Sequence, residues 1–134
     1  MTRSAASCAD EIVTKISLWS VEETVNRLSA VVAARGMKLF AVIDHSGGAE
    51  AAGLELRNTK VVVFGSPQAG TPVMEAAPLA ALDLPLKVLV WDDNGRTTVN
   101  YLAPMALAAR YELRGELGKR LAGIHLVTDA ALER

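Results

Sequence analysis

The residue types that most often carry chemistry are sparse in this chain. It holds two histidines, His45 and His125, and one cysteine, Cys8. Zinc takes four ligands at characteristic spacing. Two histidines far apart with no cysteine partner do not supply them, so no metal site is expected. His45 stands between Asp44 and Ser46, where a strand gives way to a helix. An imidazole there could serve as an acid, a base or a single metal ligand, with Asp44 beside it. Successive residues on a strand point to opposite faces, so Asp44 and His45 do not naturally orient one another. The structural alternative is that Asp44 or Ser46 caps the following helix while His45 ties down the loop. His125, between Ile124 and Leu126, reads as a packing or surface residue. Cys8 precedes the first patterned segment with no base nearby, and reads as an inert thiol.

The stretch Gly65 to Thr71 is the other candidate. It joins an apolar strand to a helix N-terminus, where backbone N–H groups can hold a phosphate or carboxylate. It lacks the Gly-Lys-Ser/Thr ending of a P-loop, and no G-x-G-x-x-G follows a strand. Gly65, Ser66, Gly70 and Thr71 are the candidate ligand-binding residues here, with Asp83, Lys87 and Tyr101 from later segments. The alternative is a tight turn that uses Gly65 for backbone freedom and Thr71 as a helix cap. No Ser-His-Asp order, nucleophile elbow or carboxylate pair emerges, and no cofactor is implied.

These residues must be positioned by elements that the hydrophobic pattern outlines. Ile12, Ile16 and Leu18 share one parity, which predicts a half-exposed first strand over Glu11–Leu18. Ser20 and Glu23 form a capping box. Val21, Val25, Leu28 and Val32 make an apolar helical stripe, Glu23 and Arg27 lie one turn apart on the wet side, and Gly36 stops the helix. Met37–Ile43 is the second strand, Ala49–Leu56 a short helix, and Thr59–Gly65 the third strand. Val61-Val62-Val63-Phe64 is apolar on both faces, which predicts a central strand covered on both sides. Thr71-Pro72 reads as a cap followed by proline at the first helical position, and Pro78 ends that helix. Leu84–Trp91 and Arg96–Leu102 are strands joined by Asn94-Gly95, a type I′ hairpin signal. Pro104 opens a helix to about Tyr111. Leu113, Leu117, Leu121 and Ile124 continue at helical spacing, and Thr128 reads as the cap of a final turn. Order alone permits a doubly wound mixed sheet or an α+β sheet with its helices on one face.

At 134 residues the chain is one domain, with residues 1–8 as a flexible N-terminus and 9–134 as the folded unit. A formal net charge of −1 supplies no basic stripe for nucleic acid. The N-terminus has no apolar run of a secretory leader, and no stretch approaches a membrane span. A lone cysteine fits the reducing cytoplasm.

Several segments together resemble the bacterial and archaeal family known as domain of unknown function 302. Phe64-Gly65-Ser66-Pro67, Gly70-Thr71 and Met74 follow its pattern, as does Ala81-Leu82-Asp83-Leu84-Pro85-Leu86-Lys87. So do Asp44-His45-Ser46, Ala52-Gly53-Leu54, the Asp93-Asn94-Gly95 turn, and Tyr101 ahead of Pro104. The resemblance runs from about Val13 to Ala131. Ser66 stands where the family has asparagine, and a serine cannot offer both an amide donor and a carbonyl acceptor. The resemblance implies a compact α+β domain with an antiparallel sheet curved around helices, similar to the TATA-binding-protein-like class, and forming dimers. Such likeness does not imply DNA binding, and it carries over no catalytic residue.

The expectation is therefore a single α+β domain with a mainly antiparallel five-stranded sheet and helices on one face. It would be a cytoplasmic homodimer that binds a small ligand or a protein partner without catalysis. Trp91, Leu89 and Val62 are the candidates for an uncovered apolar sheet surface. The alternative is an enzyme acting on a small anionic metabolite, with the 65–71 loop holding the anion and His45 as acid/base.

Overall fold

A computed structural model describes residues 11–134. Cys8 and the 1–8 segment lie outside the described residues. The order is β1 (Ile12–Ser17), α1 (Val21–Ala34), β2 (Lys38–Asp44), α2 (His45–Ala51), β3 (Thr59–Gly65), α3 (Pro67–Ala76), a 3-10 helix (Pro78–Leu82), β4 (Leu86–Asp93), β5 (Arg96–Leu102), α4 (Pro104–Arg110), α5 (Glu116–Lys119) and α6 (Gly123–Leu132). The five strands form one sheet in the order β1-β5-β4-β3-β2, and every neighbouring pair is antiparallel. This is the α+β architecture, and the doubly wound alternative is set aside.

Local chemistry explains the best-defined elements. Ser20 caps α1 by accepting from the Glu23 N–H at 3.0 Å. Its buried stripe is Val21, Val25, Leu28 and Val32. Gly36 takes φ +71, which lets the Met37 N–H return to the Val32 carbonyl at 3.0 Å and closes the C-terminus. At the β4–β5 hairpin, Asn94 and Gly95 both have positive φ, 53 and 92, as the type I′ turn demands. The Gly95 N–H also reaches the Asp92 carboxylate at 2.7 Å.

α1 and α6 lie on one face of the sheet. Val62 and Phe64 of β3, Val88 and Val90 of β4 and Val99 of β5 meet them and are fully buried. Each such side chain contributes roughly 1.5–3 kcal/mol by leaving water. Arg27 ties the two helices, donating from Nε to the Ala131 carbonyl at 2.8 Å and from a terminal nitrogen to the Glu133 carbonyl at 2.6 Å. A second apolar cluster of Val73, Ala80, Leu107, Leu113 and Leu121 lies at the end of the sheet where β3 finishes and β4 begins. It joins α3, the 3-10 helix, α4 and the segment around α5.

Several expectations change. Helices cover the Val62 and Phe64 face of β3; on the other face Val63 is buried as well, while Val61 stays partly exposed, and Val62, at 0% exposure, is not part of an uncovered surface. The first strand turns opposite to its apolar parity. Ile12 and Ile16 stay 47% exposed on the open face, while Val13, Lys15 and Ser17 face the helices. Polar pairing decides this. Lys15 donates to Thr128 and Asp129, both at 2.7 Å, and Ser17 shares a hydrogen bond with Thr24 at 2.7 Å. The short helix expected over Ala49–Leu56 begins directly at His45 and ends at Ala51, because Asp44 caps it. Thr71 is not a cap. Ser66 caps α3, accepting from the Ala69 N–H at 3.3 Å, and Pro67 takes the first turn, so Thr71 and Pro72 fall inside the helix. Thr128 caps no turn either, since it lies within α6 and donates to the Ile124 carbonyl at 2.9 Å. Pro78 does end α3 and opens the 3-10 helix.

Candidate functional site

The ladder separates the sequence-derived candidates. β2 and β3 pair Lys38 with Gly65 at one end and Asp44 with Lys60 at the other. At ~3.4 Å per residue, His45 lies roughly 20 Å from Ser66. The 65–71 segment and His45 therefore do not face one small molecule.

Asp44 is occupied as the cap of α2. It accepts from the Gly47 N–H at 2.9 Å and from the Ser46 hydroxyl at 2.7 Å. The Ser46 hydroxyl, then the Gly47 N–H, hold its carboxyl below the usual carboxylate range. His45 is exposed beside it. The open depression here gathers Glu22, Asp44, Glu50 and Glu55 with Arg57 and Lys60. Among the described residues, no group of three or more His, Cys, Asp or Glu is arranged to hold a metal ion.

Asp83 is also committed. The Tyr111 hydroxyl donates to its carboxylate, and Arg110 donates to the same oxygen at 2.9 Å. The Tyr111 hydroxyl first, and the Arg110 guanidinium after it, keep the Asp83 carboxyl below its ordinary range. The three residues pin the end of the 3-10 helix to α4. Lys87 donates to the Pro85 carbonyl at 2.9 Å. Tyr101 is 4% exposed and turned toward the helices. Its hydroxyl lies 2.6 Å from His125 Nδ1, with the Lys15 ammonium 5.2 Å from the ring centre. Burial draws the Lys15 ammonium down, but the Asp129 carboxylate and Tyr101 outweigh it, and its net shift is upward. His125 thus anchors α6 to the sheet, in keeping with a packing role.

Gly65, Ser66 and Gly70 do come together, in a cleft of about 270 Å³ at the sheet end. Its remaining walls come from distant parts of the chain. The β2 register slips between Leu39 and Ala41, a bulge of the kind that re-aims a side chain. Phe40 sits at that slip and leans over Gly65, where an added Cβ would lie 3.7 Å from the ring. The Leu84–Pro85 peptide is cis, and Pro85 closes on Gly65 from the other side, 3.5 Å from such a Cβ. Met37, Met74 and Leu121 complete the apolar lining. Thr71 does not line the cleft.

Arg120 stands at its rim, held by a repair in α3. Pro72 has no N–H, so it cannot serve the carbonyl of Gln68 four residues back. A terminal nitrogen of Arg120 donates to that carbonyl at 3.3 Å. Among the described residues no acidic side chain pairs with Arg120, and it is the one charged residue in the lining. Lys38, which pairs with Gly65 in the ladder, does not line the cleft, but its ammonium lies 4.9 Å from the centre of the Phe40 ring. The cleft can therefore shelter a small apolar body while presenting positive charge at its edge. Sequence reasoning missed Met37, Phe40, Met74, Leu84–Leu86 and Arg120. A strand-to-helix junction marks one wall of such a cleft and says nothing of which distant segments close it.

On the opposite face of the sheet, Ile12, Val61, Leu89 and Leu102 floor a groove of about 410 Å³ with Leu82 on its wall, and the candidates Asp83, Lys87 and Tyr101 come together along it. Leu89 and Trp91, on the same face of β4, are both partly exposed.

Known proteins bear on this arrangement. The chain is 40% identical over 103 residues to a fluoride-specific ion channel, FluC 1, of Brucella suis, covering 76% of this chain and 41% of that protein. The identity is the same with FluC 1 of Brucella abortus, where the match covers 38% of the relative. The chain thus spans about two fifths of the length of these relatives. Among the described residues no helix is long and apolar enough to cross a membrane. The fold superposes on the crystal structure of an uncharacterized conserved DUF302 protein from Bacillus stearothermophilus. The TM-score is 0.77 at 21% identity, covering 91% of this chain and 95% of that one. The pattern of the domain of unknown function DUF302 matches residues 12–126, nearly the whole of the described fold, and the chain belongs to the DUF302 family.

Proposed function

We propose that this domain is a non-catalytic binding module whose small ligand occupies the cleft beside Gly65, Ser66 and Gly70. The observation that carries the reading is the cleft itself. It is concave, mostly apolar, assembled from four separate stretches of chain, and close to the lower end of the ~300–1,000 Å³ range of small-molecule sites. Away from the cleft, Asp44, Asp83, Tyr101 and His125 are engaged in caps and ties. The test is a thermal-shift screen of small apolar compounds against the protein and against Gly70→Leu. Gly70 is helical, and an added Cβ would meet Met74 Cε at 3.8 Å, an ordinary contact, so a larger side chain fills the cleft without disturbing α3. A ligand at 100 times its Kd adds about 2.7 kcal/mol of stability. Compounds that stabilise the parent and not the variant support the reading. Equal stabilisation of both rejects it.

A second observation favours assembly into a homodimer through the open sheet face. Ile12, Ile16 and Ile43 are 43–47% exposed there, beside Leu89 and Trp91. Five strands ~4.8 Å apart and ~20 Å long give a footprint of roughly 500 Å². With Leu82 at its rim, that approaches the ~800 Å² per partner of a standard interface. Leu89→Asp is expected to convert a dimer of twice 14.2 kDa to monomer in light scattering. A parent protein that is monomeric at micromolar concentration refutes the assembly.

The Brucella relatives suggest a setting. In them, we propose, the shared stretch is an accessory domain and the remaining three fifths forms the fluoride channel. For this chain, a cytoplasmic module working beside such a partner fits that division. Co-purification with a fluoride channel of the same cell tests it, and a chain that never associates with one rejects it.

A further inference from the structure

We propose that the cleft selects a small amphiphilic monoanion, an apolar body of about ten non-hydrogen atoms ending in a carboxylate. This rests on the reading of the cleft as a ligand site. Size follows from volume. An apolar cavity of ~150 Å³ takes a benzene, and by proportion the 270 Å³ here takes a molecule somewhat less than twice as large. The body of the ligand meets Met37, Phe40, Met74 and Leu86. Thioethers and an aromatic ring adapt to either an alkyl or an aryl group.

Charge follows from the rim. Arg120 lines the cleft, no carboxylate does, and no acidic group among the described residues neutralises it. Its bond to the Gln68 carbonyl uses one N–H and fixes the guanidinium at the edge, leaving the rest of its fork to bind a planar carboxylate. Lys38, also outside any ion pair among the described residues, adds a second positive charge near Phe40. A cationic ligand would meet both charges unfavourably. A neutral one would leave them unused.

The experiment titrates the full chain with octanoate, 1-octanol and octylammonium, following amide chemical shifts of Gly65, Gly70 and Gly123. Octanoate is expected to bind about fivefold more tightly than octanol, the most that one exposed ion pair usually contributes, with octylammonium weakest. Arg120→Gln, which keeps a donor for the Gln68 carbonyl, is expected to remove most of the advantage of octanoate over octanol, leaving only what Lys38 supplies. Raising the salt to 1 M shortens the screening length to about 3 Å and should act in the same direction. Gly70→Leu should abolish all three. If octanol binds as tightly as octanoate while Gly70→Leu still abolishes both, the anion preference is wrong and the cleft reading stands. If none of the three binds, or if Gly70→Leu changes nothing, the cleft reading falls and this proposal with it.

Discussion

Pro72 sits inside α3, the sixth of its ten residues, and its replacement gives a sharp test of how this corner is built. An interior proline costs about 3 kcal/mol relative to alanine in a host helix. Two effects reduce that figure here. Proline restricts the unfolded chain, worth about 0.4–1 kcal/mol. Arg120 also supplies the donor that the Gln68 carbonyl lacks, at 3.3 Å and in an exposed position, worth about 0.5–1 kcal/mol. Pro72→Ala should therefore stabilise the domain by about 1–2 kcal/mol, since the alanine N–H can close the turn onto Gln68. Arg120→Ala alone should cost about 0.5–1 kcal/mol and, in the Pro72→Ala background, nothing on this account. Urea denaturation of the four proteins completes the cycle. The predicted coupling is about 0.5–1 kcal/mol. A destabilised Pro72→Ala, or strictly additive effects, would falsify the account of Arg120 as a substitute donor.

Acid should weaken the Asp83 tie. Its carboxyl titrates lower in the folded protein than unfolded, so its contribution is present above the unfolded value near 3.9 and is lost as pH falls through the lower folded value; Asp83→Asn should flatten the fall in melting temperature between pH 5 and pH 2.5. At the hairpin, Gly95→Ala places a side chain at φ +92 with open space around it, and the backbone alone should cost about 1–2 kcal/mol by calorimetry. Phe64→Ala empties a fully buried site under α1 and α6 and should cost about 3–5 kcal/mol in urea denaturation; a loss below 1 kcal/mol would mean that the two helices do not close on the sheet there.

Elements whose determinants are local were legible from sequence. The Asn94-Gly95 turn needs only its own two positive φ values, and Ser20, Glu23 and Gly36 mark both ends of α1 by backbone hydrogen bonds within a few residues. Ser66-Pro67 and Thr71-Pro72 are a different case. Both dipeptides carry the same signal, a hydroxyl cap followed by proline, and local chemistry cannot rank them. The fold accepts the first and places the second mid-helix, because Arg120, fifty-two positions from Gln68, serves the carbonyl that Pro72 strands. The orientation of β1 has the same origin. Ile12 and Ile16 outvote Val13 on hydrophobicity, yet the strand turns Lys15 and Ser17 inward, where Thr128, Asp129 and Thr24 wait on other elements.

The cleft extends that logic from structure to function. Its legible wall, Gly65-Ser66 and Gly70, is the part built by consecutive residues. Its selectivity resides in the walls that are not consecutive: a bulge that throws Phe40 out of the β2 ladder, a Leu84–Pro85 bend, and one arginine recruited by a proline. A bulge and an interior proline are each unfavourable to the element that contains them. Here both lie on the same cleft. Phe40 covers Gly65 because the ladder slips, and Arg120 stands at the rim because the helix lacks a donor. Straightening either element would favour the secondary structure and leave the cleft without its cover or its charge. Pro72→Ala is therefore expected to raise the melting temperature and, by releasing Arg120 from Gln68, to weaken octanoate more than octanol. A variant that gains stability and keeps its full preference for octanoate would separate the proline from the site.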